Sequence, residues 1–217
     1  QRAASTRPLT RPEMAILAQG LEETVAGVPC GFQDQLAAIY GGVHVWKWPT
    51  GIEDPQFKKK VVVPKRRHRH FEKHLLVAYC GKPHVSTDIN GRWVQQFLKG
   101  KFRHLWADII TCTRQFVSAV ADRQYTLAGK LMNRETALRQ KMTPDVLDKI
   151  GIRLVRSARA HKCGARFTGA GGGGCIWALG EIENIDRLRS LWEEILSSEN
   201  KARMLDIKID AKGLVVL

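Results

Sequence analysis

A chain of 217 residues, 44% of them hydrophobic, has enough apolar content to bury a core, which excludes wholesale disorder. Its formal charge of +14 directs it toward anions such as phosphorylated metabolites, nucleotides, nucleic acid or an acidic membrane surface. It has no long apolar run and no signal-type segment after Gln1-Arg2-Ala3-Ala4. Its five scattered cysteines, Cys30, Cys80, Cys112, Cys163 and Cys175, include no C-x-x-C pair, so it reads as a cytoplasmic protein with reduced thiols, no zinc site and no membrane partner.

Thr10-Arg11-Pro12-Glu13 has the layout of a capping box, and Met14, Leu17, Leu21 and Val25 follow at helical spacing, so a helix is expected from about residue 11. Gly27-Val28-Pro29 should end it. A short polar segment, Cys30 to Gln35, precedes Gly41-Gly42. Val43 to Trp48 alternates like a strand, a turn is expected at Pro49-Thr50-Gly51, and Val61-Val62-Val63 and Leu75 to Tyr79 read as buried strands. The basic stretches Lys58-Lys59-Lys60 and Lys65-Arg66-Arg67-His68-Arg69-His70 read as a solvated hairpin or loop beside those strands.

From Ser86 to about Arg159 the pattern predicts four helices, the last capped by Thr143 with Pro144 as its first residue. Strand patterns return at Ala165-Arg166-Phe167 and Cys175 to Leu179. A helix over Asn184 to Ser198 and a strand over Met204 to Ile209 complete an α+β class.

Two segments carry chemistry. Thr168-Gly169-Ala170-Gly171-Gly172-Gly173-Gly174 joins two strand-like runs. Glycines there permit positive φ and leave no Cβ in a ligand's path, so successive N–H groups can converge on a phosphate oxyanion, with the Thr168 hydroxyl as a further donor. An unliganded glycine hairpin is the plain alternative. The P-loop and dinucleotide fingerprints are both excluded, because each leads into a helix. The second segment is Gly31-Phe32-Gln33-Asp34-Gln35. Asp34 is either a plain helix cap or a carboxylate held at a pocket floor, suited to accept a hydroxyl proton.

Together these segments resemble the GHMP kinases, the family of galactokinase, homoserine kinase, mevalonate kinase and phosphomevalonate kinase. Gly164-Ala165-Arg166-Phe167-Thr168-Gly169-Ala170-Gly171-Gly172-Gly173 is similar to the family's glycine-rich third motif. Cys30 to Gln35, followed by Tyr40-Gly41-Gly42, is similar to the segment bearing the catalytic Asp in galactokinases and heptose-phosphate kinases. Leu131-Met132-Asn133-Arg134-Glu135 resembles the heptose branch.

The resemblance implies a GHMP kinase fold with an incomplete N-terminal ribosomal-protein-S5-like domain over residues 1–70 and a ferredoxin-like C-terminal domain over 71–217. It implies ATP and Mg2+ as cofactors and a sugar or sugar phosphate as acceptor, either a heptose 7-phosphate or a galactose-like sugar. Asp34 takes the catalytic role, Gln33 and Gln35 meet the sugar, and Thr168, Gly169, Ala170, Gly171, Gly172 and Gly173 face phosphate. Lys82, His84 and Ser86 are sugar or phosphate candidates and equally candidates for plain loop residues. No metal ligand is assigned.

The family's first motif and its P-x-G-x-G-L-G-S-S-A loop are absent, which implies a fragment. Two rivals stand beside the kinase. One is a truncated or non-catalytic relative. The other is a nucleic-acid-binding protein using Lys58 to His70 as a phosphate-tracking arm, placed below the kinase because it leaves Asp34 and the glycine loop without a purpose.

Overall fold

The structure is a computed structural model that describes residues 7–27, 30–47, 57–83 and 86–215. The expected turn at Pro49-Thr50-Gly51 and Pro29 lie outside the described residues. Contacts divide the chain into one unit of residues 1–61 and 210–217 and a second of residues 62–209.

In the first unit the capping box forms as its sequence requires. The Glu13 amide donates to Thr10 Oγ1 at 3.4 Å and the Glu13 carboxylate accepts from the Thr10 amide at 2.7 Å, starting α1 (Arg11–Ala26). Gly27 ends the helix in the left-handed region. The apolar stripe read along α1 is mostly unused, because Met14 packs inward while Leu17, Leu21 and Val25 are exposed. A small core of Ala15, Leu36 and Ile39 joins α1 to α2 (Gln33–Tyr40), with Phe32, Trp46 and Phe57 against it.

Helix α2 stops at Gly41, φ 60°, where a Cβ would fall 2.6 Å from both the Asp210 carbonyl and the Gly213 amide. That close approach seats the C-terminal segment on the end of α2, with the Gly42 amide donating to Asp210 O at 2.6 Å and the Leu214 amide to Ile39 O at 3.2 Å. Strands β1 (Val43–Lys47) and β2 (Lys58–Val63) form a two-stranded sheet.

The second unit contains α3 (His68–Glu72), β3 (Leu75–Tyr79), α4 (Ser86–Leu98), α5 (Arg103–Ala121), α6 (Tyr125–Met142), α7 (Lys149–Ala160), β4 (Gly164–Phe167), β5 (Cys175–Leu179), α8 (Ile182–Ser197) and β6 (Arg203–Leu205). Its sheet is antiparallel with order β4-β5-β3-β6, and Trp177 stands opposite both Val77 and Arg166. Alternation along the strands sends Leu76, Ala78, Ala165, Phe167, Ile176 and Ala178 into one core with Ile150, Leu154, Ile185, Leu188 and Trp192 of α7 and α8. The other face presents Arg166 and Trp177 to α5 and α6.

Beside edge strand β4, the Asn133 side chain of α6 donates to Cys163 O at 2.9 Å and accepts from the Ala165 amide at 3.1 Å. Thr136 Oγ1 donates to Ala165 O at 3.0 Å.

Three expectations need correction. The basic stretch is exposed at Lys58–Lys60, which lie in β2 of the two-stranded sheet, as expected of a solvated hairpin, but Lys65–Arg67 form a 3-10 turn and α3 follows rather than a loop. His68 and Phe71 bury one side of it, and the His68 ring bonds Val63 O at 3.1 Å. Thr143-Pro144 does not open the fourth helix. Thr143 is buried and accepts from Trp93 Nε1 at 2.8 Å, Pro144–Val146 make a 3-10 turn, and α7 starts under Asp148, whose carboxylate accepts from the Gly151 amide at 2.7 Å. The last strand covers Arg203–Leu205 rather than Met204 to Ile209. At Ile209 the backbone amide donates to the Glu72 carboxylate instead of a ladder partner.

Candidate active site

The glycine loop connects β4 to β5 in the second unit. Thr168 closes its base, with both its amide and its hydroxyl donating to Cys175 O, at 2.9 and 3.2 Å. Gly169, Gly171, Gly172, Gly173 and Gly174 all have positive φ. The need is most severe at Gly171, φ 86°, where a Cβ would sit 2.4 Å from Val146 O and 2.6 Å from Val146 Cγ2.

Two of the loop's amides anchor it, Gly172 to Val146 O at 2.8 Å and Gly174 to Lys82 O at 3.0 Å. Among the described residues, the amides of Gly169, Ala170, Gly171 and Gly173 have no acceptor. Successive N–H groups on backbone that alternates in hand can make a nest for phosphate oxygens, and Gly169, Ala170 and Gly171, with positive φ at the two glycines only, supply three such amides in sequence.

Lys82 is thus brought to the loop through its backbone carbonyl, and its side chain is exposed. His84 lies outside the described residues. Ser86 opens α4, but its side chain also lies outside them.

In the first unit Gln33 and Asp34 occupy the first turn of α2 and are exposed, where an acid is favoured by the helix dipole. Gln35 turns inward. Its Nε2 donates to the Glu22 carboxylate of α1, and its buried Oε1 has no partner among the described residues. Burial first, and then the carboxylates of Glu22, Glu23 and Asp34, raise the Cys30 thiol above its ordinary range, so these acids share one neighbourhood. Among the described residues no group of three or more His, Cys, Asp or Glu side chains stands together as a metal site.

Sequence reasoning alone passes over Glu135. Its carboxylate accepts from Arg139 Nε at 2.9 Å and from Arg166 Nε at 2.8 Å. Burial alone would raise this carboxyl, yet the guanidiniums of Arg166 and Arg139 hold it below the ordinary range. The i,i+4 spacing of Glu135 and Arg139 is the one signal the sequence carries; Arg166 arrives from β4.

No family model matches the chain. The galactokinase of Mycobacterium bovis (strain BCG / Pasteur 1173P2) is 29% identical over 206 residues, covering 82% of this chain and 56% of the relative. The Lactococcus lactis galactokinase solved with galactose superposes with a TM-score of 0.65 at 19% identity, covering 95% of this chain and 61% of that one. The L. major mevalonate kinase solved with R-mevalonate superposes with a TM-score of 0.66 at 20% identity, covering 90% and 58%. The chain is similar to these kinases in sequence and in fold. It shares the α+β fold of these solved structures, and the glycine loop joins two antiparallel strands, as the strand-like runs on either side of it predict. The chain spans little more than half the length of the galactokinase it matches. No described helix is long and apolar enough to cross a membrane.

Proposed function

We propose that the protein to which this chain belongs is an ATP-dependent sugar kinase, transferring a phosphoryl group to a hydroxyl of a galactose-like sugar. The observation that supports this reading is the glycine loop, where the amides of Gly169, Ala170, Gly171 and Gly173 have no acceptor among the described residues and would be free to meet phosphate oxygens. Phosphoryl transfer asks the protein mainly for positioning and for donors aimed at spreading negative charge, which such amides supply without reorganisation.

Asp34 is the proposed base for the acceptor hydroxyl, and Gln33 beside it offers an amide to the sugar. Gln35, turned inward, holds α2 to α1 through Glu22 and keeps Asp34 in place. The side chains of Lys82, His84 and Ser86 stay candidates for the sugar or its phosphate. ATP supplies the γ-phosphoryl group. Mg2+ would travel on the nucleotide phosphates, the usual place for the ion in phosphoryl transfer. Residues 1–70 are read as the remainder of the N-terminal domain and 71–217 as the C-terminal domain, and the protein as cytoplasmic.

The galactokinase relatives favour a galactose-like acceptor, and a heptose 7-phosphate remains the second acceptor to assay. The nucleic-acid reading ranks below the kinase because it gives Asp34 and the glycine loop no role.

The test is ATP consumption by the protein expressed from its whole reading frame, assayed with galactose, glucuronate and heptose 7-phosphate. Asp34→Asn should lower kcat by about 10²- to 10⁴-fold. An unchanged rate would remove Asp34 from the chemistry, and no turnover on any sugar alongside salt-sensitive RNA binding would overturn the kinase.

A further inference from the structure

The face of the second unit's sheet turned toward α5 and α6 lines a half-open cleft of about 260 Å³. Phe116, Leu131 and Trp177 supply apolar walls, and Glu135, Arg139 and Arg166 form its charged side. One carboxylate and two guanidiniums leave a net charge of +1. The side chains of Glu135, Arg139 and Arg166 keep only 9%, 13% and 25% of their exposure. A surplus charge so far removed from water is costly unless a counter-charge meets it.

Hydrogen bonding leaves the same remainder. Both Nε–H groups are spent on Glu135 and one Nη of Arg166 on Phe167 O. Among the described residues, neither Nη of Arg139 nor the second Nη of Arg166 has an acceptor. The guanidinium of Arg139 is also fixed in place, stacked 4.4 Å from the Trp93 ring centroid and 4.9 Å from that of Trp106.

We propose that this cleft binds a compact apolar or aromatic carboxylate, its carboxyl group on the free guanidinium N–H groups and its body against Phe116 and Trp177. Guanidinium forks match a planar carboxylate, and one negative charge matches the residue left by the triad. A nucleoside triphosphate is too large and too highly charged for the space. A neutral sugar could bond the guanidiniums but would leave the surplus positive charge unmet, and its hydroxyls would face the apolar walls of Phe116, Leu131 and Trp177.

The test titrates benzoate, benzamide and inorganic phosphate separately into the 217-residue chain, read by calorimetry and by indole fluorescence. Benzoate should bind saturably and at least about tenfold more tightly than benzamide or phosphate. Arg166→Met leaves Glu135 and Arg139 as a balanced pair and should weaken benzoate about tenfold or more. Thr113→Phe, at an exposed position on the lining, should block benzoate with the triad intact, which keeps the test decisive if Arg166→Met does not fold. Benzamide or phosphate binding as well as benzoate, no saturable benzoate binding, or unchanged benzoate affinity in folded Thr113→Phe would overturn the proposal.

Discussion

Glu135→Gln preserves side-chain shape and removes the charge that two guanidiniums share. The Glu135 side chain is 9% exposed, so loss of its charge leaves Arg139 and Arg166 facing each other in a poorly solvated pocket. Breaking a buried pair by deleting one partner costs about 3–5 kcal/mol. For a chain of this size that corresponds to a fall in melting temperature of roughly 6–20 °C. Differential scanning calorimetry at neutral pH reads the change directly. Adding Arg166→Met to Glu135→Gln should recover part of the loss, because the mutual repulsion disappears. A single variant melting within about 2 °C of the parent would refute the reasoning, since the triad would then be solvated enough to ignore its missing member.

Gly171→Ala should destabilise by about 1–3 kcal/mol in urea unfolding, because alanine would carry a left-handed φ and press into Val146. His74 is buried, bonds Gly180 O at 2.8 Å and stacks on Tyr125, and burial, with a smaller push from His70, lowers its imidazole below the ordinary value. The sign follows from proton counting: below pH of about 6.5 the unfolded chain binds a proton that the folded chain resists. The contribution of His74 is therefore complete above that pH and is lost as acid approaches the lower folded value. Urea midpoints between pH 8 and pH 5 should decline, and a His74→Gln variant should flatten that decline.

Features encoded within a few neighbouring residues are legible in the sequence by itself. The Thr10–Glu13 box is closed by residues three apart, and the glycine loop is conspicuous because its glycines are nearly contiguous. Thr143-Pro144 misleads for the same local reason: it looks like a cap, but Trp93 takes its hydroxyl and Asp148 caps the helix instead. Charge hides burial in the stretch Lys65 to His70, where His68 and Phe71 face inward among exposed cations. Apolar spacing misleads in the opposite sense along α1, since a periodic stripe says which residues share a face and nothing about what covers it. The Glu135 triad is invisible in the sequence because its third member comes from a separate strand.

A bare strand edge can template pairing with another copy of the chain. On β4 the carbonyl of Cys163 and both backbone groups of Ala165 are occupied by Asn133 and Thr136, so a helix side stands in for the strand that would otherwise dock there. Protection of that edge consequently depends on α6 staying seated. Local fraying of this one helix would bare a ready-made pairing surface while the rest of the sheet is intact, which ties self-association to a partial opening rather than to global unfolding.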